Sequence, residues 1–246
     1  MVDPLQILLI FAAIALGSVA KGVAGFGLPL VAMPILAAII GVEHAVVVMT
    51  LPSLVSNGWL VWANRHAAPP AKSLALFLAA AMLGGIVGTW LLAVVSERAL
   101  MLVLALWLAV YLAMLAWKPD FRLPFPQLFA PLFGVCAGAL QGATGFSAPI
   151  VSSYFSGIGL VKEGFVFSLA LAFTLIAISQ GGAMLHYDLF TATRLFEGLA
   201  ALVPVIIFLR IGVRWGRTIS VDLFRKIMML LFILTEARLV YAGLWG

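Results

Sequence analysis

Apolar segments separated by short polar connections make up almost the whole chain. We delimit ten of them, at residues 5–20, 28–40, 46–62, 74–95, 99–117, 128–143, 148–160, 165–184, 195–212 and 227–245. Hydrophobic residues account for 65% of the 246 residues and charged residues for 9%, whereas a soluble domain carries about 25% charged residues. A soluble fold of this size could not bury so much apolar surface, so lipid must solvate most of it. We therefore predict an all-α polytopic membrane protein.

Four of these segments are shorter than a spanning helix, which needs about 20 residues. They are 5–20 and 28–40, which flank the motif KGVAGFG, and 128–143 and 148–160, which flank the motif QGATGFS. Each pair is either a re-entrant hairpin, which enters and leaves the membrane by one face, or one spanning helix with a break. We expect three full transmembrane helices to follow each half-helix pair.

The two glycine-rich motifs are copies of each other, 120 residues apart. The aligned pairs are Gly22 with Gly142, Gly25 with Gly145, Phe26 with Phe146, Pro29 with Pro149, Glu43 with Glu163 and His66 with His186. Internal repeats with interrupted helices at corresponding places are typical of secondary transporters. We predict a first membrane repeat at 1–120 and a second at 121–246, both within a single transmembrane domain.

Basic residues discriminate between hairpins and broken helices, because cytoplasmic loops are enriched in Lys and Arg. With hairpins, Arg98, Arg194 and Arg238 share one face and ten basic residues share the other. The ten are Arg65, Lys72, Lys118, Arg122, Lys162, Arg210, Arg214, Arg217, Arg225 and Lys226. With broken helices, six basic residues lie on one face and seven on the other, so neither face is enriched. We therefore favour hairpins, an inverted second repeat and both termini outside the cytoplasm.

Each motif is expected to present the N-terminus of a new helix inside the membrane. Pro29 and Pro149 follow the glycines, and proline suits the first turn of a helix. Helix N-termini carry unbonded N–H groups and a positive dipole end, which together attract anions. Lys21 would add a full positive charge at one central cavity lined by both motifs. The candidate substrate-binding residues are Lys21, Gly22, Gly25, Phe26, Gly27, Asn57, Gln141, Gly142, Thr144, Gly145, Phe146, Ser147 and Gln180.

Structural alternatives exist for several of these residues. Glycines also allow helices to pack closely in lipid, and we assign that role to Gly84 and Gly88. Lys21 could instead extend to the membrane interface, although ionisable residues inside a membrane are usually functional. Glu236 is either an interfacial charge or a proton site. The single Cys136 excludes a cysteine zinc cluster and an intramolecular disulfide.

At its two motifs, KGVAGFGLPLVAMPIL and QGATGFSAPIVSSYF, the chain resembles the sulfite exporter TauE/SafE family of membrane permeases. The length and the two-part hydropathy pattern agree with this resemblance, which covers essentially the whole chain. It implies a secondary transporter of small sulfur-containing anions, such as sulfite, thiosulfate, sulfonates or sulfoacetate, in the bacterial inner membrane. With that location, both termini would be periplasmic. The resemblance implies no enzyme activity and no cofactor.

The expected partners are a small anionic substrate and the lipid bilayer, and no nucleic acid is expected. A proton or another coupling ion, and a second copy of the chain in a homodimer, are left open. The alternatives to an alternating-access carrier are an anion channel, a carrier of small carboxylates and an intramembrane enzyme. The enzyme is disfavoured because the sequence contains neither H-E-x-x-H nor G-x-S-x-G.

Overall fold

The protein is described from a computed structural model, which covers residues 4–24, 27–117, 126–160, 162–216, 218–219 and 221–245. Within these ranges the regular structure is helical. The α-helices are α1 Pro4–Ala24, α2 Leu28–Ile40, α3 Val42–Ala63, α4 Ala71–Val94, α5 Glu97–Trp117, α6 Pro126–Thr144, α7 Ala148–Gly157, α8 Lys162–His186, α9 Ala192–Ala200, α10 Leu202–Trp215 and α11 Val221–Trp245. A 3₁₀ turn, Arg65–Ala67, precedes α4.

Six stretches of the described helices are long and apolar enough to cross a membrane. They are Pro4–Val23, Val42–Ala63, Leu74–Val94, Glu97–Met114, Glu163–His186 and Ala192–Trp215. Each contains at least 18 residues, close to the roughly 17 to 25 residues that span the hydrocarbon core. The prediction of an all-α polytopic membrane protein is confirmed.

The helices that flank the two motifs differ in length from what the hydropathy indicated. The short second members are confirmed, since α2 has 13 residues and α7 has 10. The first members, α1 and α6, have 21 and 19 residues, so the half-length predicted for them is wrong. Both continue into the motif, because one glycine inside a helix costs only about 1 kcal/mol and tight packing can repay that cost.

The ninth predicted segment is divided into two helices, α9 and α10, at Ala201. Pro204 explains the division, because proline has no N–H to donate to the carbonyl group four residues earlier. The last helix, α11, begins at Val221 rather than at residue 227. Its first turns carry Arg225 and Lys226, which lower the hydropathy of a segment that is nevertheless helical.

The helices form two compact units, and each unit draws on both predicted repeats. Unit 1 consists of Met1–Met49, Val95–Lys118 and Thr191–Gly246, and unit 2 of Thr50–Val94 and Pro119–Phe190. The first turns of α3 therefore belong to unit 1 and the remainder of α3 to unit 2. The predicted boundary between the repeats, at residues 120 and 121, lies outside the described residues. The division into repeats stays a prediction.

In unit 1, α1 packs along α10 and folds back against α2, while α11 packs along α5. A Cβ atom added to Gly212 would meet the carbonyl oxygen of Val19, and one added to Gly216 would lie 3.1 Å from the Cα of Val23. Later residues of α1 thus meet later residues of α10, so the two helices run parallel. Glycine is needed at this contact because the backbones touch.

Side chains tie together the beginnings of α1, α3, α5 and α9 in unit 1. Glu197 of α9 accepts a hydrogen bond from Gln6 near the start of α1 and contacts His44 in the first turn of α3. Glu97, the first residue of α5, accepts a hydrogen bond from the backbone N–H of Glu43 at 3.3 Å. These four helices therefore begin at one end of unit 1.

In unit 2, the main contact is between α4 and α6, which also run parallel. A Cβ atom on Gly134 would lie 2.5 Å from the carbonyl oxygen of Phe77, and one on Gly142 would lie 2.5 Å from that of Gly85. Helix α8 begins at the same end as α4, because Glu163 bonds His66 just before α4, with Oε2 and Nε2 3.1 Å apart. So α4, α6 and α8 share one direction.

Gly84 and Gly88 lie in the contact between α4 and α6. A Cβ atom at Gly84 would collide with the carbonyl oxygen of Val135, and one at Gly88 would collide with that of Ala139. The packing role predicted for these two glycines is confirmed.

Candidate functional site

The first break is the connection between α1 and α2, from Ala24 to Leu28. Gly27 has a φ of 117°, a left-handed conformation that side-chain-bearing residues rarely adopt. Pro29 lies in the first turn of α2, as predicted. A Cβ atom on Gly17 would lie 2.6 Å from the carbonyl oxygen of Leu28, so α2 folds back along α1 as a hairpin. Gly25 and Phe26 lie outside the described residues.

Lys21 lies in the last turn of α1 and is only 2% exposed. Lys21 follows Gln6 by about four helical turns, which places it about 22 Å along the helix from the end of unit 1 where α1 begins. This burial argues against a lysine that extends to the lipid headgroups. Ionisable residues inside a membrane are usually functional, so Lys21 stays the candidate for contact with an anion.

Ser18 is a candidate site residue that the sequence did not indicate. It is 0% exposed, and its hydroxyl has no hydrogen-bond partner among the described residues. Ser18 precedes Lys21 by three residues, so the two side chains lie on the same face of α1. Buried hydroxyl groups are normally hydrogen-bonded, so Ser18 offers a donor beside the lysine.

The second break is the connection between α6 and α7, from Thr144 to Ala148. Gly145 has a φ of 67°, so this glycine allows the chain to turn. The Gln141 amide closes the turn, because its Nε2 donates to the carbonyl oxygen of Gly145 at 3.0 Å and its Oε1 accepts from the Ser147 hydroxyl at 2.9 Å. Gln141 and Ser147 are therefore used by the turn itself.

The other predicted residues around the second break are also buried. Thr144 donates to the carbonyl oxygen of Leu140 at 2.7 Å, and Gln180 of α8 donates to that of Gly142 at 3.5 Å. Phe146 is 1% exposed. The structure thus brings together all the candidates of the second motif with Gln180. Asn57 is 4% exposed on α3.

The first glycine of each motif lies against a neighbouring helix. A Cβ atom on Gly22 would lie 2.6 Å from the carbonyl oxygen of Leu209, and one on Gly142 would lie 2.5 Å from that of Gly85. These contacts favour helix packing, the structural alternative, for Gly22 and Gly142. The turn-forming role falls on Gly27 and Gly145, whose φ angles are positive.

A buried polar cluster in unit 1 was missed by the sequence reasoning. Its centre is the carboxyl group of Glu197, whose side chain is 0% exposed. Gln6 Nε2 donates to Oε1 of Glu197 at 2.9 Å, and His44 Nε2 contacts Oε2. The one available signal was an acidic residue within the apolar segment 195–212, which is costly in a membrane unless it is partnered.

The described residues thus contain six helices that could span a membrane, two helix pairs broken at a glycine and a buried lysine at one break. Interrupted helices of this kind are typical of membrane transporters. The sequence model of the family "Sulfite exporter TauE/SafE" matches residues 9–239. The chain therefore belongs to the TauE/SafE sulfite exporter family, as the resemblance of its two motifs indicated. No curated protein and no solved structure matches the chain.

Membership of this family establishes the class of activity. The protein is a multi-pass membrane transporter of the sulfite or sulfur-anion exporter type, and its family is not a family of enzymes.

Proposed function

We propose that the protein is a secondary transporter of small sulfur-containing anions, of the sulfite, thiosulfate, sulfonate or sulfoacetate type. Its candidate site residues lie at the first break, in unit 1, and at the second break, in unit 2, and transport proceeds by alternating access across the bacterial inner membrane. The observation that carries this proposal is Lys21, a buried lysine at a helix break in a member of this family. Thr144, Ser147 and Gln180 supply the neutral polar groups of the second break.

Electrostatics explains why such a site would prefer an anion. The first turns of α2 and α7 leave backbone N–H groups without intrahelical partners, and each helix N-terminus carries about half a positive charge. Lys21 adds one full charge when it is protonated, and Ser18 adds a hydroxyl donor next to it. A singly charged oxyanion, or a dianion that moves with a proton, would balance this charge most closely.

Helix directions within each unit support re-entrant hairpins. In unit 1, α1 and α3 begin at the same end, joined through Glu197. In unit 2, α6 and α8 share one direction. A single broken spanning helix would instead put the start of α3 on the opposite face from the start of α1. The hairpin gives an odd number of crossings per repeat, and therefore an inverted second repeat.

The basic residues assigned to the periplasmic face agree with this topology. Arg98 and Arg194 lie in the first turns of α5 and α9, at the end of unit 1 where α1 begins. Arg238 donates to the carbonyl oxygen of Ala38 at 3.1 Å, in the last turns of α2. All three lie at one end of unit 1, which supports both termini in the periplasm.

Helix boundaries also support the proposed repeat. The starts of α2 and α7, at Leu28 and Ala148, are 120 residues apart, as are the starts of α3 and α8. The starts of α5 and α11, at Glu97 and Val221, are 124 residues apart. A four-residue insertion in the second repeat accounts for the change, and α8 is longer than α3 by 3 residues, with 25 against 22.

The test is binding followed by transport. Purified protein is heated in detergent with sulfite, thiosulfate, methanesulfonate or acetate, since a bound ligand raises apparent stability by mass action. Exchange of radiolabelled thiosulfate is then measured in proteoliposomes. Saturable exchange that is accelerated by unlabelled thiosulfate inside the vesicles supports a carrier.

Three outcomes would contradict the proposal. Flux that does not saturate indicates a channel, and stabilisation by acetate alone indicates a carboxylate carrier. The third outcome concerns the site. Lys21→Gln should reduce thiosulfate exchange, while Lys72→Gln, which changes an exposed lysine of α4, should leave it unchanged. Equal exchange by both variants would remove Lys21 from the site.

A further inference from the structure

The hydroxyl group of Ser18 differs from other buried hydroxyl groups of the described helices. Thr89, Ser168 and Thr235 each donate to the carbonyl oxygen four residues earlier in the same helix, at 2.7 to 2.8 Å. Such internal bonds satisfy serine and threonine inside a membrane helix, where water has little access. Ser18 lies well inside α1, yet its hydroxyl makes no such bond within the described part of the chain. This hydroxyl is therefore available to a ligand.

Ser18 lies on the side of α1 that faces away from its exposed side. Successive residues of an α-helix are about 100° apart around the axis. Leu9 and Leu16 are exposed, and they lie about 180° and 160° around the helix from Ser18. Lys21 lies about 60° from Ser18 and is buried as well. The two polar residues of α1 thus share one buried face.

Ser18 is level with the first turn of α2. A Cβ atom added to Gly17 would lie 2.6 Å from the carbonyl oxygen of Leu28 and 3.1 Å from the Cβ of Ala32. Ser18 is the next residue, about 1.5 Å further along α1 in the direction of the break. Lys21 lies about 4.5 Å beyond Ser18, at the level of the break itself. An anion bound at the start of α2 would therefore be next to both residues.

The first turn of α2 offers backbone donors to such an anion. Gly27 precedes the helix and has no side chain that could cap it, and its carbonyl oxygen accepts the N–H of Val31 at 3.1 Å. The N–H groups of Leu28 and Leu30 have no acceptor further along their own helix, and Pro29 has no N–H. Two N–H groups thus belong to the same level of unit 1 as the Ser18 hydroxyl.

The second break uses the corresponding groups in its own turn. There the carbonyl oxygen of Ser147 accepts the N–H groups of both Ile150 and Val151, at 3.0 and 3.3 Å. Leu30, which aligns with Ile150, has no such bond to Gly27 among the described residues. The start of α7 is therefore closed by hydrogen bonds of the turn, whereas the start of α2 keeps donors for a ligand.

We propose that the Ser18 hydroxyl and the N–H groups at the start of α2 bind the oxygen atoms of a head group in which one sulfur atom carries three oxygen atoms; this inference rests on the proposed transport function. Three neutral donors from two helices suit an anion with several oxygen atoms on one centre. Lys21, about one turn further along α1, supplies the positive charge when it is protonated. Ser18 is thus a specificity-determining residue that recognises oxygen, while Lys21 recognises charge.

Oxygen and charge can be separated by the choice of anion. Methanesulfonate and thiosulfate each carry three oxygen atoms on one sulfur atom. Thiocyanate carries one negative charge, but it is linear and has no oxygen atom, so it cannot bond three converging donors. A site built to donate hydrogen bonds discriminates against an anion that leaves its buried donors without a partner.

The experiment measures binding to the full chain in detergent by calorimetry, with methanesulfonate and thiosulfate as probes and with thiocyanate as a competitor. Ser18→Ala should weaken both probes at least tenfold, because hydrogen bonds to an ionised acceptor are the strong ones, and should change the affinity for thiocyanate by less than about threefold. Lys21→Gln should weaken all three anions. Ser168→Ala is the matched control, because Ser168 is equally buried but bonds its own helix; it should bind all three anions like wild type.

The melting temperature of the ligand-free protein distinguishes a ligand contact from a structural role. Ser18→Ala removes a hydroxyl without a partner among the described residues, so the ligand-free variant should melt at the temperature of wild type or above it. The rise in melting temperature that thiosulfate causes by mass action should be smaller in the variant. Ser18→Cys keeps the shape of the side chain with a weaker donor, and it replaces Ser18→Ala in the binding test should that variant fail to fold.

Three results would overturn this role of Ser18. The first is equal affinity of wild type and Ser18→Ala for methanesulfonate and thiosulfate. The second is equal weakening of these probes and thiocyanate, which would assign Ser18 to general anion binding. The third is a lower melting temperature of ligand-free Ser18→Ala with an unchanged rise on adding thiosulfate. Wild-type protein that binds none of sulfite, thiosulfate and methanesulfonate rejects the proposed function itself, and the role of Ser18 with it.

Discussion

Replacing Gln141 with alanine tests whether the second break is closed by this amide. The side chain makes two buried hydrogen bonds within seven residues of the chain, one to the carbonyl oxygen of Gly145 at 3.0 Å and one from the Ser147 hydroxyl at 2.9 Å. Ser147 is 0% exposed and Gln141 is 7% exposed. Water therefore has little access to replace the lost partner.

The size of the effect follows from what the variant leaves behind. A buried polar group that loses its partner costs about 1–3 kcal/mol. Two such groups, the carbonyl of Gly145 and the hydroxyl of Ser147, give about 2–6 kcal/mol. For a chain of this size, 1 kcal/mol corresponds to about 2–4 °C in Tm. Gln141→Ala should thus lower the Tm by roughly 4–24 °C.

The assay is the temperature at which the detergent-solubilised protein loses its monodisperse peak. Gln127→Ala is the matched control, because Gln127 lies in the same helix and is exposed; it should shift the free energy of unfolding by less than about 0.5 kcal/mol. Adding Ser147→Ala to Gln141→Ala removes the stranded hydroxyl and should recover part of the loss. If Gln141→Ala melts like wild type but binds the anion more weakly, the amide serves the ligand and the reasoning is wrong.

Three further results are expected. Lys21→Gln should weaken anion binding at least tenfold in calorimetry, about 1.4 kcal/mol, and binding equal to that of wild type would make Lys21 a structural residue. Gly22→Ala should destabilise the protein by about 1–3 kcal/mol through overpacking against α10. Gly58→Ala should not destabilise the protein, because nothing lies within 4 Å of the added Cβ. Equal melting temperatures for Gly22→Ala and Gly58→Ala would refute the packing role of Gly22. A C-terminal reporter active only in the cytoplasm should be silent, and a clear signal would refute the topology.

Hydropathy was sufficient to place the helices because lipid imposes one simple requirement on every spanning segment. Each must be apolar over a fixed length and must bond its own backbone. The predicted segment 28–40 coincides with α2, Leu28–Ile40. Hydropathy failed at the ends of α1 and α6, where polar motif residues continue the helix. It also missed the division at Ala201, although Pro204 is visible in the sequence.

The candidate site could be predicted only in part, for a physical reason. Glycine and proline mark a break by their own backbone preferences, so the positions of both motifs were readable. The partners of polar side chains depend instead on residues that folding brings near. Glu197 meets Gln6 and His44 across more than 150 residues of sequence, with separations of 191 and 153. The sequence offered only the acidic residue within the apolar segment 195–212 as a signal, and no local pattern could have indicated its partners.

The difference between Lys21 and Gln141 follows from a second difference six residues later in each motif. In the second break Ser147 donates its hydroxyl to the Gln141 amide, and a lysine at position 141 could not accept that bond. In the first break the aligned residue is Gly27, which has no side chain and turns the chain through its own left-handed φ of 117°. Gly27 has no hydroxyl group that would need an acceptor at position 21, so a lysine is compatible with this position. The second break is thus closed by side chains, and the lysine of the first break is the residue that we propose contacts the anion.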